Sequence, residues 1–186
     1  MKSPQPEKKR APVEKPAKSA GKSSAPATKM TKTTKAPAIS KAPRVAFPKK
    51  NQPPTAAAFA ARLPLALGKR FEMVRSFLLR QKDMREDVYF YGPKTGWALR
   101  YLVGVHPLCS LLLYEDAPVG ILSLPALAIS TIDWKNLSPV GQLAHKHAHG
   151  SPSMLWLDVP LAGTGAADFK AIVRAKLATV APTEKA

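Results

Sequence analysis

Apolar positions recur with two different periods in the second part of this chain, and the change of period separates its elements. The first period is that of a helix face, with intervals of three or four residues. It is carried by Leu67, Phe71, Val74 and Leu78. Pro64 stands where the first turn of this helix begins, because its fixed backbone angle suits that position. The spacing predicts a helix over residues 64–82.

After Asp87 the period falls to two, as expected for strands that bury one face. Four runs of this kind are separated by short turns, which favours an antiparallel meander. They span residues 88–91, 97–103, 108–114 and 119–124. The first two runs flank a turn and predict a β-hairpin, in which Trp97 and Tyr101 share one face while Arg100 lies on the other.

The pattern of residues after position 124 predicts one more strand and three more helices. The strand is predicted over 153–159, and the helices over 126–131, from Pro139 to His149, and from Ala166 onward. Ser138 is the expected N-cap of the middle helix, and Gly150 its expected end. The fold class that follows is α+β, an antiparallel β-meander of four to five strands packed with three to four helices. Residues 56–182 form one domain in this interpretation.

Composition changes the picture at the N-terminus, where residues 1–55 differ from the rest of the chain. They hold fourteen Lys and Arg against two Glu, a net charge of +12 out of +17 for the whole chain. They also hold ten of the nineteen prolines and one aromatic residue, Phe47. The few large apolar side chains of this segment cannot offset the entropy lost when its backbone is ordered. A disordered basic tail is therefore predicted over residues 1–55.

The positive charge of this tail predicts a nucleic-acid partner, because flexible cations pair with phosphates and release counterions without reading the base sequence. Its composition resembles the tails of linker histones and of bacterial histone-like proteins. The candidate phosphate-binding residues are Lys8, Lys9, Arg10, Lys15, Lys18, Lys22, Lys29, Lys32, Lys35, Lys41, Arg44, Lys49 and Lys50. Basic tails also add solubility and bind acidic proteins or anionic membranes, so these alternatives stay open.

Two further groups of residues carry candidate chemistry, and the first lies on the hairpin. Aromatic and cationic side chains converge there, an arrangement that stacks a planar ligand or holds an anion. The candidate ligand surface consists of Tyr91, Lys94, Trp97 and Arg100. Since alternation divides these residues between two faces of the sheet, packing in the core is the favoured interpretation.

The second group is a histidine pair near the end of the third predicted helix. His145 and His149 lie at i and i+4, so a helix would offer both imidazoles to one Zn²⁺ or Ni²⁺. Two ligands do not make a site, and a third from His106, Asp133 or Asp158 would be needed. The favoured interpretation is an exposed helix end, where histidines suit the negative pole of the helix.

An aromatic and glycine-containing string in the hairpin resembles a known family. The string YFYGPKTGWALRY spans residues 89–101 and is followed by Leu112-Leu113-Tyr114 and, in the last helix, by Asp168-Phe169-Lys170. These residues are similar to the bacterial domain-of-unknown-function family numbered 3788, over roughly residues 56–180. The resemblance implies a helix-and-meander fold and no established activity.

The chain lacks the common signatures of catalysis and of membrane insertion. It has no Gly-x-Ser-x-Gly elbow, no phosphate loop and no Cys/His pair of recognisable spacing, so an enzyme is disfavoured and no cofactor is expected. The longest uncharged apolar run, 117–132, is shorter than a membrane span and contains two prolines. Cys109 stands alone in an apolar run, which fits a buried thiol in a reducing compartment.

These observations predict a non-catalytic binding protein of the cytoplasm, associated with the nucleoid. Its tail contacts nucleic-acid phosphates without sequence preference, and its domain has a ligand that the sequence does not name. Two alternatives remain: a small-ligand or metal-binding module, and a protein-interaction adaptor whose tail is incidental.

Overall fold

One antiparallel sheet of six strands organises the part of the chain that the structure, a computed structural model, describes. The described residues are 44–115 and 117–180, so most of the predicted tail, residues 1–43, lies outside them. The helices are α1 (Ala56–Ala61), α2 (Leu65–Leu79), α3 (Ala126–Thr131), α4 (Pro139–Lys146) and α5 (Gly165–Val180), with a short 3-10 helix at Trp134–Asn136. The strands are β1 (Met84–Phe90), β2 (Trp97–Val103), β3 (His106–Leu113), β4 (Pro118–Pro125), β5 (His149–Ser151) and β6 (Met154–Pro160).

The strand order is β1-β2-β3-β4-β6-β5, and every neighbouring pair is antiparallel. The predicted α+β class and the four-strand meander are therefore confirmed. The described residues contain six strands and five α-helices, more than the four to five strands and three to four helices expected. The additional strand is β5, which includes Gly150, the residue predicted to end a helix. The additional helix is α1, whose alanines give no periodic apolar signal.

One face of the sheet packs against α2 and α5 to form the core. Phe71, Val74 and Leu78 on α2 and Phe169, Ile172 and Val173 on α5 are fully buried there against sheet residues such as Leu99 and Leu111. Gly120 of β4 makes the contact with α5 possible, because a Cβ atom at that position would lie 2.2 Å from the ring of Phe169. The predicted apolar stripes of both helices thus form the helical side of this core.

Residues 44–55 belong to the folded domain, which corrects the boundary predicted at residue 56. The Ala46 amide donates to the Leu113 carbonyl at 2.9 Å, and the Trp97 amide donates to the Phe47 carbonyl at 3.0 Å. These bonds place the segment at the ends of β2 and β3. The Phe47 ring packs on Phe59 of α1 with a centroid distance of 4.8 Å. A single aromatic residue in a polar segment gave little reason to expect folded structure, yet Phe47 anchors this segment to α1.

Two carboxylates tie helices to their surroundings. Glu86 on β1 accepts two hydrogen bonds from Arg75 of α2, at 2.8 and 2.9 Å, and one from the Tyr101 hydroxyl at 2.7 Å. Burial opposes ionisation of Glu86, but these donors outweigh it and lower its pKa.

Asp168 on α5 caps the N-terminus of α4. Its carboxylate accepts from the Ser138 and Gly141 amides at 3.0 and 3.1 Å and also from the Ser138 hydroxyl. The N-cap residue is Ser138, as predicted, but the side chain that satisfies the helix amides comes from α5.

Among the described residues, no helix combines the length and the apolar character required to cross a membrane.

Candidate functional site: the open face of the sheet

We call the face of the sheet opposite the core the open face. The strand register shows which residues lie on it. Directly opposed residues share a face of a sheet, so each pair leads to the next strand. The register joins Tyr89 to Ala98, Arg100 to Ser110, Ser110 to Ile121, and Ser123 to Trp156. Aromatic and polar side chains therefore extend across five strands on this face.

A cavity of about 420 Å³ lies on the open face, and strand and turn residues alone line it. Its polar and aromatic lining consists of Tyr89, Tyr91, Thr95, Arg100, Ser110, Ser123 and Trp156. The volume falls within the range of small-molecule sites, roughly 300–1,000 Å³. Tyr89, Tyr91 and Trp156 each expose slightly more than 40% of their surface, so part of each ring is available to a ligand.

At the β1 and β2 side of the cavity, an arginine is held over an aromatic ring. The Arg100 guanidinium carbon lies 3.9 Å from the centroid of Tyr89. Two hydrogen bonds to Asp87, at 3.0 and 2.7 Å, hold the guanidinium in place, and this pairing raises the pKa of Arg100. Tyr91 meets Tyr89 edge to face at a centroid distance of 4.8 Å. The two tyrosines are therefore positioned before any ligand arrives.

The Tyr91 hydroxyl connects this wall to the floor of the cavity. It lies 2.7 Å from the Ser110 hydroxyl, which is buried on β3. Burial raises the pKa of Tyr91 against an opposing hydrogen bond from Ser110, so the phenol stays protonated near neutral pH. The pair offers a ligand hydroxyl groups without charge.

At the other end of the cavity, a tryptophan stands on the outer strands. Trp156 of β6 stacks on His149 of β5, with a centroid distance of 6.1 Å and an interplanar angle of 16°. Asp158 lies two residues further along β6, and burial raises its pKa, which the neighbouring His149 opposes. The short strand β5 therefore supports Trp156 from the side.

A buried lysine lies behind the serine at one end of the cavity. The Lys176 ammonium donates to the carbonyls of Pro107 and Leu108, at 3.0 and 2.6 Å, and to the Ser123 hydroxyl at 3.4 Å. Burial lowers the pKa of Lys176 to about 8. Sequence reasoning missed this residue, although its position seven residues after Phe169 places it on the apolar stripe of α5.

The predicted ligand surface is divided by the sheet. Tyr91 and Arg100 line the cavity on the open face, as their alternation allows. Trp97 lies on the core side, where it packs on Phe90 at a centroid distance of 5.2 Å and donates its indole N–H to the Lys49 carbonyl at 2.8 Å. Lys94 is exposed in the turn and does not line the cavity. Of the four predicted residues, Tyr91 and Arg100 thus line this cavity, and Tyr91 and Trp97 line a second, shallow groove.

The predicted histidine pair does not share a helix, because α4 ends at Lys146. His145 stacks on Trp134 with a centroid distance of 3.8 Å, whereas His149 stacks on Trp156 from β5. Across residues 44–115 and 117–180, no group of three or more His, Cys, Asp or Glu side chains is arranged to hold a metal ion. The i, i+4 geometry on which the metal hypothesis depended is absent.

Three of the predicted phosphate-binding residues fall within the described chain. They are Arg44, Lys49 and Lys50, and all are exposed. The other ten predicted residues, from Lys8 to Lys41, lie outside it. Lys50 lines a shallow groove of about 860 Å³ together with Tyr89 and Tyr91. One cation of the basic segment therefore lies beside the aromatic residues of the open face.

No protein-family model, no curated protein and no solved structure matches the chain. Membership of family 3788 stays a prediction from the hairpin string.

Proposed function

We propose that this chain is a non-catalytic nucleic-acid-binding protein. Its basic N-terminal segment contacts phosphates without sequence preference, and its open face stacks unpaired bases. The observation that supports this proposal most directly is the groove shared by Lys50, Tyr89 and Tyr91. It joins a phosphate-binding type of side chain to two exposed aromatic rings. The proposal places the protein in the cytoplasm, with the nucleoid.

The open face has the chemistry and the length for stacking. Aromatic side chains bind bases of any identity, with roughly 1–3 kcal/mol lost per base when the aromatic residue is replaced by alanine. Tyr89 on β1 and Trp156 on β6 are four strands apart in the sheet order. At a spacing of about 4.8 Å this separation is about 19 Å along the sheet, which leaves room for more than one base.

Charge is supplied from outside the open face. Arg100 is already paired with Asp87, so its guanidinium is poorly available to a phosphate. Residues 1–55, in contrast, carry a net charge of +12. We therefore assign most of the salt-dependent affinity to the basic segment and the preference for unpaired bases to the open face.

The test compares single-stranded and duplex oligonucleotides by fluorescence anisotropy between 50 and 200 mM salt. If six or more cations pair with phosphates, the affinity of the full chain should fall by about 10³ or more for the duplex and by roughly 300-fold or more for the single strand. Replacing Tyr89 and Trp156 by alanine should weaken single-strand binding by roughly 5- to 150-fold for each base that loses its stacking partner, and leave duplex binding unchanged.

Leu143→Ala provides the matched control, because Leu143 is an exposed apolar residue on α4, away from the open face. It should leave both affinities unchanged. Equal losses on single-stranded and duplex probes would remove the open face from the proposal. Undiminished binding after deletion of residues 1–43 would move the phosphate contacts into the domain.

A small planar ligand is the second candidate for the same site. The cavity volume of about 420 Å³ favours it, as do the uncharged hydroxyl groups of Tyr91 and Ser110 at the wall and floor. Competition separates the two candidates. A free nucleobase or nucleoside that displaces the oligonucleotide only at millimolar concentration supports the nucleic-acid proposal, whereas tight binding of such a compound alone favours the small ligand.

A further inference from the structure

A groove runs between α2 and α5 on the helical side of the domain, and nothing in the proposed function uses it. We call it the helical groove. It has a volume of about 1,040 Å³, and its larger side chains are Leu63, Leu65, Lys69, Glu72, Met73, Phe77, Arg80, Lys170 and Arg174. Two small residues of α1, Ala60 and Ala61, complete one end. The groove therefore combines an apolar floor with charged edges.

The apolar floor comes from a second stripe on α2. Phe71, Val74 and Leu78 face the core, but Leu65 and Met73 point away from it and are 75% and 55% exposed. Their spacing of eight residues keeps them on one side of the helix. Side chains of this size cost free energy when they stay in water, and methionine adapts to the shape of a docked surface. Neither Leu65 nor Met73 belongs to the hydrophobic core or to the residues packed against it.

The charges of the helical groove are unbalanced. Four cations line it, Lys69, Arg80, Lys170 and Arg174, against the one carboxylate Glu72. Glu72 is already paired with Arg75 at 3.4 Å. Within residues 44–115 and 117–180, the four cations make no ion pair, and Arg174 lies 5.0 Å from the ring centroid of Phe77. The groove thus presents unpaired positive charge beside exposed apolar surface.

We propose that the helical groove docks an acidic amphipathic helix of a partner protein. Apolar side chains of the partner at i, i+3 or i+4, and i+7 enter between α2 and α5, and its carboxylates pair with the four cations. Helix α2 has fifteen residues, a length of roughly 22 Å, so three or four turns of a partner helix lie alongside it.

Charge argues against the other occupants. The N-terminal residues 1–43 carry eleven Lys and Arg against two Glu, so they are repelled by the groove. A symmetric contact with a second copy would place the same four cations opposite each other. A nucleic acid would pair with the cations, but it would cover Leu65 and Met73 with polar phosphates and sugars. Such a contact gains little free energy from the burial of apolar side chains. The acidic helix satisfies both features together.

The probe is a designed sixteen-residue peptide with leucines on one helical face and glutamates beside them, labelled with fluorescein. A second peptide has the same composition in an order that scatters the leucines around the helix. Both have the same charge, so binding to the basic N-terminal segment is the same for the two. With the full chain, the patterned peptide should bind at least tenfold more tightly than the scattered one.

Variants then locate the binding. Lys170→Glu with Arg174→Glu should remove the tenfold preference, and Met73→Ser should reduce it without any change of charge. The matched control is Lys135→Glu with Lys146→Glu, which changes the net charge equally at two exposed residues outside the groove. This control should keep the preference. Thermal melting of each variant shows that it is folded.

Three outcomes would overturn the proposal. Equal affinity for the patterned and scattered peptides would leave only charge attraction. A loss of oligonucleotide binding in the Lys170→Glu, Arg174→Glu variant, with the peptide preference intact, would make the groove a nucleic-acid surface. A concentration-dependent dimer that Met73→Ser abolishes, measured by sedimentation, would identify a second copy as the occupant.

Discussion

The two faces of the sheet are built from the same strands but from different chemistry. On the core face, Leu99, Tyr101 and Leu111 are fully buried under helices. On the open face, Tyr89 and Trp156 keep more than 40% of their surface exposed around a cavity. The pleat of a strand assigns alternate residues to the two faces, so each strand contributes to both.

This contrast separates what the fold needs from what it does not. Removing core-face side chains would expose α2 and α5, which pack only on that face. The exposed aromatic rings of the open face have no helix to support, and exposed aromatic groups grouped around a cavity are typical of binding surfaces. The open face therefore presents aromatic surface beyond what packing of the helices requires.

The largest expected effect is on the core face. Phe169→Ala should lower the free energy of unfolding by about 3–5 kcal/mol, because it leaves a cavity beneath Gly120 and removes a fully buried ring. Tyr89→Ala on the open face should cost about 1–2 kcal/mol, because it removes the ring's contacts with Arg100 and Tyr91 but leaves no enclosed cavity. Urea unfolding of both variants checks the difference. Similar losses at the two positions would show that the open face also stabilises the fold.

The next effect concerns pH and the buried Lys176, which extends from α5 to the Ser123 hydroxyl that lines the cavity. Burial lowers the pKa of Lys176 to about 8 from 10.5, so the folded chain loses this proton at a lower pH than the unfolded chain. Stability from this group therefore rises as the pH goes from about 8 to about 10.5, by up to about 3 kcal/mol. The unfolding free energy of the wild type should therefore rise by that amount relative to Lys176→Met between about pH 8 and pH 10.5.

Cys109 is the necessary control for this measurement. Burial raises the pKa of its thiol, so this group has the opposite sign and lowers stability as the pH passes the pKa of an unfolded cysteine. The comparison should therefore be repeated in a Cys109→Ala background, where the Lys176 effect remains. A difference that stays flat from pH 8 to pH 10.5 in this background would mean that the lysine keeps its proton in the folded chain, held by its three acceptors.

The fold was predictable where a local pattern carried the information. The stripe of Phe71, Val74 and Leu78 defined α2, and the alternation after Asp87 defined the meander. The additional elements gave no such pattern: α1 is a run of alanines around one phenylalanine, and β5 has three residues. Their positions depend on contacts with distant residues, such as the pairing of β5 with β6, that a local window does not contain.

The candidate site was predictable only in part, for the same reason. Alternation correctly separated Arg100 from Trp97, but it did not connect Tyr91 to Trp156, which is 65 positions later in the sequence and lines the same cavity. The connection requires the strand order, in which β6 joins β4. The predicted i, i+4 pair of His145 and His149 does not form on one helix, because α4 is two turns long and ends at Lys146.

The smallest and most direct comparison applies one substitution to both faces. Tyr101→Phe removes a buried hydrogen bond to the ionised Glu86, which should cost about 2 kcal/mol, since bonds to charged groups contribute roughly 1.5–3 kcal/mol. Tyr91→Phe removes a bond between two hydroxyls at a half-exposed residue and should cost about 1 kcal/mol or less. Each substitution deletes one oxygen and keeps the ring, so packing is constant.

Thermal melts rank the two losses of stability. Anisotropy with a single-stranded oligonucleotide measures binding, and both variants should bind as the wild type does, because stacking uses the ring. A larger loss of stability for Tyr91→Phe than for Tyr101→Phe would reverse the assignment of structural and binding roles to the two faces.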